Sequence, residues 1–186
     1  MKKYISLVLV ALSGCILTVN AQQSFSYKNP LLPTELRVND LLDRMTLEEK
    51  IAQIRHLHSW DVFDGQVLNQ EKLDKMCGGI GYGFFEGFPL TAASCRKTFR
   101  EIQTYMVEKT RLGIPGFPVA ESLHGVVHEG TTIYPQNIAM GSTFNPELAY
   151  EKTKHIAGEL NTMGVKQVLA PCIDVVRDLR WGRVEE

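Results

Sequence analysis

Between Thr91 and Ala170 the chain passes twice from a long amphipathic stretch into a short apolar one, and this alternation restricts its fold more than any other feature. Thr91 to Leu112 carries Cys95, Phe99, Ile102 and Met106 at helical spacing, with Gly113 as a stop. Phe117-Pro118-Val119-Ala120 then reads as a strand. Asn145-Pro146-Glu147 is a helix start: an amide cap, a proline whose missing N–H costs nothing there, and an acid favoured by the helix dipole. The helix it opens runs to Met163 and ends at Gly164, and Val168-Leu169-Ala170 follows as a strand. Short strands alternating with long helices argue for an α/β domain with a mostly parallel sheet.

Upstream the signals are shorter. Gln22 to Pro33 is polar and interrupted by Pro30 and Pro33, which predicts an extended lead-in. Leu36, Leu41, Leu42 and Met45 predict a helix over 34–45. Thr46-Leu47-Glu48-Glu49 is a capping box, opening a second helix to about Leu57. The glycine-rich apolar run Cys77 to Phe85 reads as a buried strand, and Ile138 to Met140 as another. A closed barrel of eight strand–helix units takes about 250 residues. The 186 residues fall short of that, and the charged, loop-like end favours continuation. The expected fold class is therefore α/β, the N-terminal portion of a partial (β/α)8 TIM-type barrel over 34–186.

Residues 1–21 read as a signal peptide. Lys2 and Lys3 precede an apolar run from Tyr4 to Leu17, too short for a membrane span, and Val19-Asn20-Ala21 offers a cleavage site before Gln22. A second route also fits: Leu12-Ser13-Gly14-Cys15 matches a lipobox, which would lipidate Cys15 and tether the protein to a membrane. Either way the expectation is export, to the periplasm or beyond. Removing residues 1–21 takes away two lysines and no acid, which leaves 18 basic against 21 acidic residues and a net charge of -3. That balance gives no reason to expect nucleic acid as a partner. Cys77, Cys95 and Cys172 remain, an odd number with no zinc spacing, and read as small buried hydrophobes.

Three segments could carry chemistry. Glu121-Ser122-Leu123-His124-Gly125 follows a predicted strand. Tyr134-Pro135-Gln136-Asn137 leads toward Asn145-Pro146. Ala170-Pro171-Cys172-Ile173-Asp174 continues through Arg177-Asp178-Leu179-Arg180-Trp181-Gly182-Arg183 to Glu186. The first and third lie at the ends of strands, the face where a parallel barrel builds its site. Carboxylates, guanidinium groups and an indole there can grip vicinal hydroxyls and stack on a sugar ring. His124 and His128 are four apart, but Gly125 stands where a zinc protease motif needs glutamate, so no metal site is expected.

These segments resemble glycoside hydrolase family 3. "ESLHG" is similar to the family's acid-x-x-His-Gly element, and "YPQNIAMGSTFNPEL" to the segment that leads into the next helix. "APCIDVVRDLRWGRVEE" is similar to its Arg-Asp-Pro-Arg-Trp-Gly-Arg signature, with Leu179 in place of the usual proline. The likeness runs from Pro30 to Glu186. It implies a retaining exo-β-glycosidase that releases glucose or xylose from nonreducing ends of oligosaccharides or β-glycosides, without a cofactor. By the same likeness Glu121, Arg183 and Glu186 hold the terminal sugar. Many members have aspartate where Glu121 stands. The family's Lys-His pair, nucleophilic aspartate and acid/base have no counterpart in these residues, so the 186-residue chain alone is expected to be inactive. A noncatalytic sugar-binding remnant, or an inactive fragment, is the alternative reading, separated from the first by the reading frame beyond Glu186.

Overall fold

A computed structural model of the chain describes residues 26–87 and 91–186. The signal segment, Cys15 and the start of the lead-in lie outside the described residues. Two compact units divide between Arg44 and Met45. In the first, a 3-10 turn over Ser26–Lys28 takes the place of the extended chain expected there. It is followed by helix α1 (Thr34–Arg44). Asp40 on α1 accepts from the backbone N–H of Tyr27 at 3.0 Å and from Arg44, while Arg37 donates to the carbonyl of Tyr27. The Arg44 hydrogen bond holds the Asp40 carboxyl below its ordinary range.

The second unit opens with α2 (Leu47–Ala52), β1 (His56–His58) and the short α3 (Ser59–Val62). A small antiparallel hairpin, β2 (Phe63–Asp64) and β3 (Val67–Leu68), leads to α4 (Gln70–Cys77). Then come β4 (Phe84–Glu86), α5 (Ala92–Lys109), β5 (Phe117–Ala120), α6 (Asn137–Gly141), α7 (Pro146–Met163) and β6 (Gln167–Val168). β1, β4, β5 and β6 form one sheet in that order, with every pairing parallel. Parallel strands that sit side by side in chain order, with helices between, are the opening of a (β/α)8 barrel, as expected.

Strand pleating sorts the side chains. Leu57, Phe85 and Pro118 share a register row and turn toward the helices; Leu57 and Phe85 are fully buried, in one core with Leu73, Ile102 and Met106. His56, Phe84 and Phe117 share the row before and lie on the opposite face, where Phe117 is 54% exposed. His58, Glu86, Val119 and Gln167 continue that inner face toward the carboxyl ends of the strands.

Both capping signals hold. Thr46 accepts from the backbone N–H of Glu49 at 3.3 Å and Glu49 from that of Thr46 at 2.9 Å. Asn145 caps α7, and Gly164 closes it in the left-handed conformation. Three further expectations fail. The second helix stops at Ala52, not near Leu57, because the next turn passes under β4: a Cβ on Gly83 would lie 1.9 Å from the carbonyl oxygen of Gln53. Cys77 ends a helix instead of starting a strand; Asn69 caps that helix at Lys72, Leu73 and Cys77 bury its inner face, and Gly78 terminates it. Ile138 to Met140 is helical, in α6, whose first residue binds the Lys152 ammonium through the Asn137 side chain at 2.7 Å. Alanine and methionine favour a helix once it has begun.

Among the described residues no helix is long and apolar enough to cross a membrane. Cys77, Cys95 and Cys172 are free thiols. Burial pushes Cys77 up to about 12 and Cys95 up to about 11. In native protein lacking residues 1–21, iodoacetamide at pH 8 is expected to label Cys172 alone, with Cys77 and Cys95 reacting only after urea. Peptide mass mapping checks this, and early labelling of either buried thiol would contradict the packing.

Candidate functional site

Glu121 stands directly after β5 and its side chain is exposed. The loop behind it is fastened at both ends. His124 Nδ1 lies 3.1 Å from the Tyr134 carbonyl, whose residue donates its N–H back to the His124 carbonyl at 2.7 Å. Gly125 adopts φ +116, and a Cβ there would meet the Thr132 carbonyl oxygen at 2.3 Å, so the His-Gly pair fixes how closely two loop strands approach. His124 is thus a structural pin. His128 shares this loop, not a helix, so their spacing brings them to no common face.

The third segment leaves β6 and crosses the same end of the sheet. Its closing turn is held by the Ile138 N–H donating to the Glu185 carbonyl at 3.1 Å. Arg183 donates through Nε to Glu186 three residues on. That bond, and after it the nearby charges of Glu186, Glu121 and Cys172, push the guanidinium further toward its charged form. Glu121 and Glu186 therefore both lie within electrostatic reach of Arg183, from the segments that follow β5 and β6. Asp178 and Arg180 form a separate pair, Nε to Oδ1 at 2.9 Å, in which Arg177 takes no part. Trp181 is 37% exposed beside it.

A cavity beside Glu121 is also lined by His58, Trp60, Glu86, Gly87 and His128. Glu86 Oε2 lies 3.0 Å from His56 Nδ1, and Oε1 lies 3.3 Å from His58 Nδ1. Had the helix opened at Thr46 continued this far, His56 and His58 would point apart. On a strand, residues two apart share a face. The alternations His-Leu-His and Phe-Phe-Glu carried that signal, each placing an apolar residue toward the helices and polar or aromatic ones inward. The arrangement can bind hydroxyls through carboxylates and guanidinium and stack a ring on Trp60. Among the described residues no group of three His, Cys, Asp or Glu side chains is placed to hold a metal.

A periplasmic β-glucosidase of Salmonella typhimurium is 29% identical over 99% of this chain and 22% of its own length. A β-xylosidase of Formosa agariphila is 42% identical over 41% of this chain and 11% of its own. In structure, a β-glucosidase of Erythrobacter marinus superposes with a TM-score of 0.72 at 29% identity, over 88% of this chain and 22% of that one. The chain thus spans about a fifth of the length of the Salmonella and Erythrobacter proteins. The description "Glycosyl hydrolase family 3 N terminal domain" fits residues 46–186, which include the capped α2, the four parallel strands and all three residues expected to hold sugar. The chain belongs to glycosyl hydrolase family 3.

Proposed function

We propose that this chain is the sugar-holding part of a retaining exo-β-glycosidase that releases glucose or xylose from nonreducing ends. The observation that carries the reading is that Arg183 binds Glu186 and lies within electrostatic reach of Glu121, which directly follows β5. An anionic and a cationic group side by side, both solvent-facing, can accept from and donate to neighbouring hydroxyls of one ring. Nucleophile and acid/base lie outside these residues, so the chain by itself binds and does not cleave. In the retaining scheme the two missing carboxyl groups stand about 5–5.5 Å apart and work through a covalent glycosyl-enzyme intermediate. The basic start, the apolar run after it and the likeness to a periplasmic enzyme support export. The test is proton NMR of the first-formed anomer released by the full-length enzyme from p-nitrophenyl β-glucoside and β-xyloside. Retention of the β configuration supports the reading, and inversion or no release defeats it.

Glu121 also bears on which sugar is preferred. Its side chain is one methylene longer than aspartate, which carries the carboxylate toward the space of a glucose hydroxymethyl group. Crowding there favours pentoses by about 1–3 kcal/mol at most. Glu121→Asp is expected to raise the ratio of kcat/KM for glucoside over xyloside. An unchanged or lowered ratio would show that residue 121 does not set ring size.

A further inference from the structure

We propose that Trp60, backed by His58 and Glu86, is a platform for the sugar ring of the leaving group, beside the ring held by Glu121 and Arg183. The inference rests on the glycosidase reading and adds to it which side of the cleaved bond the first two strands serve. None of these three residues belongs to the motifs that identify the family.

Four observations carry it. The Trp60 indole is 70% exposed, yet it is not loose: its ring lies 4.3 Å from the His58 ring with 7° between the planes. Its edge packs on the backbone of Gly87, which has φ +71 and where a Cβ would stand 3.5 Å from the indole. The Ser59 hydroxyl donates to the Gly87 carbonyl, tying the ends of β1 and β4 together under the ring. Glu86, the last residue of β4, brings its carboxylate within 3.0 Å of His56 Nδ1 and 3.3 Å of His58 Nδ1, beneath the imidazole on which Trp60 stacks, although His58 Nδ1 makes no hydrogen bond. A large aromatic ring stacked on one side and left open to solvent, with carboxylates lining the same cavity, matches a pyranose, which offers C–H groups on its face and hydroxyls at its edge.

Strand order says which ring. β1 and β5 are separated by β4, so Trp60 and Glu121 rise from strands two spacings apart, about 9–10 Å. That span suits two linked rings better than one. Glu121 and Arg183 take the terminal ring, which leaves its neighbour for Trp60, with Glu86 between the two strands. Both ends line one cavity, so a single disaccharide can reach them together.

The test uses the full-length enzyme with two kinds of substrate: β-glucosyl or β-xylosyl fluoride, whose leaving group has no ring, and the corresponding β-linked disaccharide. Trp60→Ala is expected to raise KM for the disaccharide about tenfold or more while changing KM for the fluoride less than about threefold. Trp60→Phe, which keeps an aromatic face, is expected to restore most of the loss. Trp60 contributes little to the core, so thermal unfolding of both variants stays close to wild type. Equal losses on fluoride and disaccharide would place the indole against the terminal ring and overturn the proposal, and so would no loss on either. A wild-type enzyme that cleaves neither substrate would instead bring down the glycosidase reading itself.

Discussion

Arg183→Ala in the full-length enzyme is expected to lower kcat/KM on aryl glycosides about 100-fold or more, roughly 2.7 kcal/mol. The bond to Glu186 engages Nε, and the other guanidinium N–H groups make no hydrogen bond among the described residues. They remain available to donate to a sugar. A hydrogen bond with a charged partner is worth about 1.5–3 kcal/mol, and losing two of them together gives an effect of this size. Glu186→Gln keeps the arginine and removes only its partner, so a smaller loss of about three- to tenfold is expected. Steady-state kinetics on p-nitrophenyl β-glucoside and β-xyloside decide the matter. A change under about threefold for Arg183→Ala would remove it from the sugar site.

The long helices and their neighbours were legible in the sequence because each carries its own boundary chemistry. Asn145-Pro146 and Gly164 delimit α7, and Thr46 with Glu49 opens α2, through contacts a few residues apart. What failed depended on contacts far apart in the chain. Nothing local announces that residues 53–55 must turn beneath Gly83, or that His56 and His58 belong to a strand; only the pairing of β1 with β4 decides it. Likewise Ile138 to Met140 has the apolar look of a strand, and the tie from Lys152 to Asn137, fifteen residues apart, accompanies its helix. The candidate site divides in the same way. Glu121 and Arg183 lie in irregular segments specific enough to be read in one dimension. Trp60 and Glu86 gain meaning only when the sheet sets one beside the other, since a lone tryptophan after two histidines has many structural uses.

Arg111→Ala is expected to destabilise the protein at pH 7 by about 1–2 kcal/mol, below the range for a fully buried ion pair because Glu49 is buried while the Arg111 side chain is 54% exposed and screened by solvent. Glu49 is 4% exposed and its carboxylate receives Arg111 Nε at 2.7 Å, a second bond from Nη2, and the backbone N–H of Thr46. Without the guanidinium a charged carboxylate stays in the interior with one donor. The pair belongs to the frame around β4: the backbone N–H of Arg111 also ties to the Gly79 carbonyl, and α2 meets the start of β4 through the bond from Gly83 to Ala52. The effect carries a pH signature with a definite sign. The Arg111 hydrogen bonds hold Glu49 below its ordinary value of 4.5, against a burial penalty that acts the other way. A carboxyl whose folded pKa is depressed adds stability that is complete well above 4.5 and drains away as pH falls through the lowered folded value. In Arg111→Ala the burial penalty stands unopposed by the arginine, so Glu49 takes up its proton at higher pH and is then neutral at little cost. The gap between wild type and variant should therefore be widest near pH 7, begin to narrow above pH 4.5 as the variant's Glu49 takes up its proton, and go on narrowing below it until the wild-type carboxyl is protonated too. Urea unfolding at pH 7, 5 and 4 measures it. A gap that stays constant across that range would mean that Arg111 stabilises the fold by packing its aliphatic stem, and not by holding the charge of Glu49.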